Sequence, residues 1–256
     1  MRIALIGYGK MGHAIEALAA ERGHEVTVKI DKDESGKWKV ESGKWKVESG
    51  EWKVESGEWK VESGKWKEGR GKMADVAIEF TTPATAADNV LRCLEMGMPV
   101  VCGTTGWYAR YDEVSEVCRR SGGRLVAATN FSVGVNIMFA LNRRLAELMR
   151  GRGYAVDIAE THHIHKLDAP SGTALTLQEQ IVESGERTVE SVPIASYREG
   201  EVPGTHVVRY SSEADTLTLT HEAHSRRGLA EGALIAAEWL MTAPAGVYNM
   251  QDVLGV

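Results

Sequence analysis

The feature that most constrains this chain lies at its start. An apolar run, Ile3 to Ile6, leads directly into Gly7-Tyr8-Gly9-Lys10-Met11-Gly12, a G-x-G-x-x-G sequence. Met11, Ala14, Ile15, Leu18 and Ala19 then recur at helical spacing, and Gly23 closes the segment. Val26, Val28 and Ile30 alternate as a second strand ending at Asp31. In a strand–turn–helix, the first glycine permits the tight turn and the second lets backbone approach a pyrophosphate. The third lets helix and strand pack closely, and free N–H groups at the helix start hold the anion. Asp31, 19 residues beyond Gly12, stands where an acid accepts hydrogen bonds from the adenosine ribose. Lys32 follows it and can meet a 2′-phosphate, so the pair is compatible with NADH and with NADPH.

The alternation continues. Strands are expected at 76–80, 99–103 and 124–129, and helices at 83–96 and 109–121, with Pro83 at a first helical position. Alternating strands and helices imply a parallel sheet, whose ligands bind at strand C-terminal ends. Those ends carry Gly7, Asp31, Phe80-Thr81, Gly103-Thr104-Thr105 and Thr129-Asn130-Phe131. The expected class is α/β: a Rossmann-type dinucleotide-binding domain formed by 1–130 and 227–256, and a smaller α+β domain formed by 131–226.

Composition narrows the function classes. The net charge of −6 disfavours a nucleic-acid binder working by bulk charge, and 43% hydrophobic residues suit a globular chain. The longest apolar runs are strand-length, and the N-terminal run is too short for a secretion signal. Cys93, Cys102 and Cys118 are an odd number without metal-type spacing, as in reduced thiols of a cytoplasmic protein.

The second half holds the reactive chemistry. A helix is expected at 134–150, with Ile137, Met138, Leu141, Leu145 and Leu148 on one side, then a strand at 155–161. The strand enters Glu160-Thr161-His162-His163-Ile164-His165-Lys166-Leu167-Asp168-Ala169-Pro170-Ser171-Gly172-Thr173-Ala174. Imidazoles and an ammonium precede a helix start whose hydroxyls and N–H groups suit carboxylates. Metal binding is the rival reading of this cluster. The acids do not follow the histidines in a familiar metallo-hydrolase spacing, and Lys166 would oppose a cation, so no metal is expected. After Gly185 the chain reads as strands at 192–197, 205–211 and 216–221, followed by a helix at 229–241.

At this point the sequence resembles the 4-hydroxy-tetrahydrodipicolinate reductase (dihydrodipicolinate reductase) family of the diaminopimelate route to lysine. GYGKMG (7–12), EFTTP (79–83), CGTTGW (102–107), ATNFSVGVN (128–136) and above all ETHHIHKLDAPSGTA (160–174) carry the resemblance. It implies an NAD(P)H-dependent reductase with His162 as proton donor or acceptor and Lys166 as second proton donor. It implies that His163, Lys166, Ser171, Gly172 and Thr173 hold substrate carboxylates. Gly7 to Gly12, Asp31, Lys32, Gly103, Thr104, Thr105, Ala128, Thr129, Asn130 and Phe131 would line the cofactor. It also implies a homotetramer.

One segment departs from that pattern. From Glu34 to Glu68 a seven-residue unit, ESGKWKV in its first copy, runs five times and holds five of the seven Trp. Ser-Gly in every copy argues against a helix. Lys-Trp-Lys-Val-Glu alternates with period two, and Ser-Gly suits a two-residue hairpin turn. In that register Val40 faces Trp45, Trp38 faces Val47 and Glu41 pairs with Lys44. A β-meander, a disordered insert and a binding strip all remain open.

Overall fold

The computed structural model describes residues 1–32, 38–42, 53–55, 58–60, 74–185 and 187–256. In chain order the elements are β1 (Arg2–Ile6), α1 (Lys10–Glu21), β2 (Glu25–Lys32), β3 (Trp38–Ser42), β4 (Lys53–Glu55), β5 (Glu58–Lys60), β6 (Val76–Glu79), α2 (Pro83–Glu95), β7 (Val100–Cys102), α3 (Tyr111–Arg120) and β8 (Arg124–Ala127). They continue as α4 (Val133–Met149), β9 (Ala155–His162), α5 (Gly172–Glu183), β10 (Ile194–Arg198), β11 (Thr205–Ser211), β12 (Thr216–Glu222), α6 (Arg227–Leu240), β13 (Gly246–Tyr248) and α7 (Met250–Leu254). The chain divides into two compact units: Met1–Ala128 with Ala233–Asn249, and Thr129–Gly232 with Met250–Val256.

The first unit is built on a sheet ordered β13-β8-β7-β6-β1-β2-β3. Its pairs are parallel except β2 with β3, which run antiparallel. Parallel strands covered on both faces need continuous apolar runs. Ile3 to Ile6, Val76 to Ile78 and Val100 to Cys102 meet that need and are all buried. On one face Val90 and Leu94 of α2 and Val114 of α3 join Ala4, Ile6 and Val100 in a single cluster. The Rossmann-type sheet expected from the sequence is thus present, with β13 as an edge strand the sequence reading did not anticipate.

The repeat supplies three of these strands. β3 extends the sheet antiparallel to β2, with Asp31 opposite Lys39. β4 and β5 pair antiparallel as a separate two-stranded sheet, with Val54 opposite Trp59 in register. The same Val-to-Trp spacing, five residues, is the one expected for Val40 and Trp45 two repeats earlier. The expected contacts of Val40 with Trp45, Trp38 with Val47 and Glu41 with Lys44 lie outside the described residues.

The second unit is a mixed sheet, β10-β9-β11-β12, with β9 and β10 parallel and the other pairs antiparallel. α4 and α5 bring Met138, Phe139, Leu177 and Ile181 into one core with Val156, Ile158, Val208 and Tyr210 of the sheet. The buried side of α4 corrects the sequence reading. Ile137, Leu141 and Leu148 are 42%, 52% and 48% exposed, whereas Val135, Met138, Phe139, Asn142, Ala146 and Met149 face inward. The helix has apolar residues on two sides, and polar Asn142 inside the true face hid it. The Asn142 amide donates to the Leu177 carbonyl and to Gln180 Oε1, both at 3.0 Å, which satisfies the buried group.

The domain limits also differ from expectation. Residues 250–256, read as part of the first domain, group with the second unit. There α7 packs on α4, burying Met250 and Val253. The division between units falls inside α6. Among the described residues no helix is long and apolar enough to cross a membrane.

Candidate active site

In the first unit the strand ends form the glycine turn. Gly7 has φ +92°, and a Cβ there would collide with the Phe80 carbonyl. A Cβ at Gly12 would lie 2.6 Å from the Gly7 carbonyl oxygen. Both positions therefore require glycine. Gly9 caps α1 with no side chain and has open space where a Cβ would stand, so the first N–H groups of α1 are accessible to an anion. Tyr8 is held by its hydroxyl, which donates to Glu16 and accepts from Lys29 Nζ at 3.0 Å. Lys10 is exposed and Met11 half-buried. The neighbouring strand ends are stitched to one another. Gly103 N donates to the Glu79 carbonyl at 2.9 Å, and Thr81 N donates to Thr104 Oγ1 at 2.7 Å. Thr105 is exposed beside them. Asp31 lies on β2, and the side chain of Lys32 is outside the described residues. Ala128 ends the first segment of this unit, while Thr129, Asn130 and Phe131 open the second unit. These glycines and bare helix N–H groups fit a dinucleotide phosphate.

In the second unit the alternation of β9 does the positioning. Val156 and Ile158 point into the core, and the same face continues as Glu160 and His162, both buried. Glu160 Oε2 accepts a hydrogen bond from His162 Nδ1. Its Oε1 accepts from both Nη1 and Nη2 of Arg198, each at 3.0 Å. Burial pushes the Glu160 carboxyl up. Donation from Ser196 and Arg198 and the His162 charge outweigh it, and its pKa falls below the usual range. Burial pushes His162 below its ordinary value; Glu160 opposes this, and Lys166 and Arg198 add to it.

The following loop carries the ammonium. Lys166 Nζ donates to both carboxylate oxygens of Asp168, at 2.8 and 2.9 Å. His163 is half-buried, with Nδ1 lacking a hydrogen-bond partner among the described residues. His165 is exposed, 3.4 Å from Glu201. Ser171 caps α5: its Oγ accepts from Ala174 N at 3.2 Å and lies 3.2 Å from His206 Nε2. Gly172 opens the helix, and Thr173 Oγ1 accepts from Asn130 Nδ2 at 3.4 Å. The structure therefore gathers His162, Lys166 and Ser171 to Thr173 around one end of the mixed sheet.

Three participants were missed. Arg198 and His206 reach the site through strand pairing, Arg198 opposite His162 and His206 opposite Glu160. Burial lowers His206 to about 4, so it is neutral near pH 7. Glu160 had been read only as a metal-ligand type. Its position two residues before His162 on an alternating strand was the available signal for a carboxylate–imidazole pair. Ligand atoms of Glu160, His162 and His206 do lie within 4.8 Å of one another. The carboxylate is already engaged by Arg198 and by His162, so a cation there would have to displace both.

A glycine-turn parallel-sheet unit followed by a mixed-sheet unit with a buried carboxylate–imidazole pair defines a dinucleotide-dependent oxidoreductase. Comparison with known proteins narrows this. The family model described as dihydrodipicolinate reductase, N-terminus, matches residues 1–131, and its C-terminal counterpart matches 134–254. A 4-hydroxy-tetrahydrodipicolinate reductase of Christiangramia forsetii is 39% identical over 99% of this chain and 98% of its own. That of Methanopyrus kandleri is 39% identical over 72% of each. A dipicolinate-bound dihydrodipicolinate reductase from Paenisporosarcina sp. TG-14 superimposes with a TM-score of 0.72 at 20% identity over 98% of each chain, a likeness of fold. The chain belongs to the dihydrodipicolinate reductase family, and its role is that of a reductase in the diaminopimelate route to lysine.

Proposed function

We propose that the chain reduces 4-hydroxy-tetrahydrodipicolinate, with loss of water, to tetrahydrodipicolinate, using NADH or NADPH. The observation that carries this reading is the buried His162 at the end of β9, held at Nδ1 by Glu160, beside the loop that presents Lys166 and leads to the capped start of α5. The bound nicotinamide supplies the hydride. The N–H groups at the start of α1 hold the pyrophosphate, Asp31 receives ribose hydroxyls and Lys32 meets a 2′-phosphate where one is present. With Gly103, Thr104, Thr105, Ala128, Thr129, Asn130 and Phe131 they line the cofactor. His163, Lys166, Ser171, Gly172 and Thr173 bind the substrate carboxylates. Lys166 exchanges Asp168 for one of them, since an ammonium paired only to an exposed carboxylate gives it up at small cost. His162 passes a proton from Nε2 to the electron-rich centre that reduction creates, and Lys166 supplies the second.

The uncovered face of the mixed sheet, with Tyr197 50% exposed, supports assembly as a homotetramer. Three buried thiols support a cytoplasmic location.

The test is oxidation of NADH, compared with NADPH, in the presence of the cyclic dicarboxylate. His162→Ala lowers kcat by about 10²- to 10⁴-fold with NADH affinity unchanged. Undiminished turnover removes His162 from the mechanism. Absence of any turnover in the parent chain removes the proposed substrate.

A further inference from the structure

We infer that Arg198 is the positioning residue that sets both proton-handling groups, His162 through Glu160 and Lys166 through the backbone of its loop. The inference rests on the functional reading above.

One guanidinium reaches both. Nη1 and Nη2 hold Glu160 Oε1 at 3.0 Å, leaving Oε2 for His162 Nδ1. Nε donates to the Lys166 carbonyl at 3.3 Å, and Nη2 donates to the Asp168 carbonyl at 2.5 Å. The planar fork of arginine serves these directions together; a lysine ammonium is a single point and does not. Parallel pairing of β10 with β9 puts Arg198 opposite His162, so the brace is built into the sheet. With Nδ1–H committed to the carboxylate, the imidazole presents Nε2 as its reactive nitrogen. Gly204 adjoins that nitrogen: a Cβ there would stand 3.0 Å from it.

The charged and titratable groups facing His162 are Glu160 on β9, Arg198 on β10, Lys166 and Asp168 on the loop, and His206 on β11. Glu160 favours the imidazolium, whereas Arg198 opposes it. Removing each therefore moves the pH profile in opposite directions. Glu160→Gln shifts the descending limb of kcat to lower pH, and Arg198→Gln shifts it to higher pH. Arg198→Lys keeps the charge, leaves the limb in place and lowers kcat about tenfold or more through misplacement.

The experiment measures these profiles alongside imidazole ¹⁵N spectra of the protein without substrate. Opposite displacements, with His162 protonated at Nδ1 in the parent chain and less so in Glu160→Gln, support the inference. Displacements in one direction, no displacement, or an Nε2-protonated parent overturn it. The spectra need no turnover, so failure of this brace is separable from a wrong substrate.

Discussion

Glu79 and Glu160 make a natural comparison. Each is fully buried near the C-terminal end of a strand, one in each unit. Glu79 is met by the Thr81 hydroxyl, the Asn89 amide at 3.3 Å and the Cys102 thiol at 3.2 Å. Glu160 is met by an imidazole and a guanidinium. The first set of partners is neutral, and it ties two strand ends together beside the glycine turn. The second set is titratable or charged, so any change in it alters the protonation of His162. The partners, not the residue type or its burial, separate a structural carboxylate from one tied to chemistry.

That contrast can be broken experimentally. Glu79→Ala leaves a cavity and takes an acceptor from the Thr81 hydroxyl, the Asn89 amide and the Cys102 thiol, and stability falls by about 4 kcal/mol in urea unfolding. The pH profile of the remaining folded enzyme keeps its position, and a displaced profile would erase the distinction.

His206 sharpens the contrast from the other side. Its folded value of about 4 lies below the ordinary 6.5. Above pH 6.5 it is neutral whether folded or unfolded and contributes no slope. As pH falls the unfolded chain takes up the proton first, so stability drains by as much as about 3 kcal/mol on approaching pH 4. His206→Gln flattens that part of the curve of stability against pH, and an unchanged curve would place the titration elsewhere.

Ser171→Ala removes a helix cap. It lowers stability by about 1 kcal/mol and raises KM for the dicarboxylate more than it lowers kcat. An unaltered KM would limit Ser171 to capping. The smallest effect is expected from deleting 34–68, because the residues of both sites described here, apart from Asp31 and Lys32 beside the cut, lie well away from it in sequence. kcat with NADH then stays within about twofold. Loss of activity in a folded product would tie the repeat to the cofactor end.

The glycine turn was readable because it is local: Gly7, Gly9 and Gly12 lie within six residues, and each answers to a backbone constraint. The string from His162 to Thr173 was readable for the same reason. Arg198 was not, since nothing near it in the chain marks its role, and only the register of β10 on β9 brings it to Glu160. α4 was misjudged because Ile137, Leu141 and Leu148 satisfy helical periodicity as well as the true buried face does. Periodicity finds a helix but does not choose between two apolar sides when a satisfied Asn142 lies in one of them.

By itself, then, the sequence determined the alternation of strands and helices, the glycine turn and the loop that carries Lys166. Each rests on contacts between residues close along the chain, where backbone geometry alone limits the choices. The tertiary structure decided which carboxylate answers to His162, which side of α4 is covered and where the last residues pack. Those outcomes depend on pairing between distant segments, and the cost of burying a polar or charged group is set by whichever partner the fold delivers.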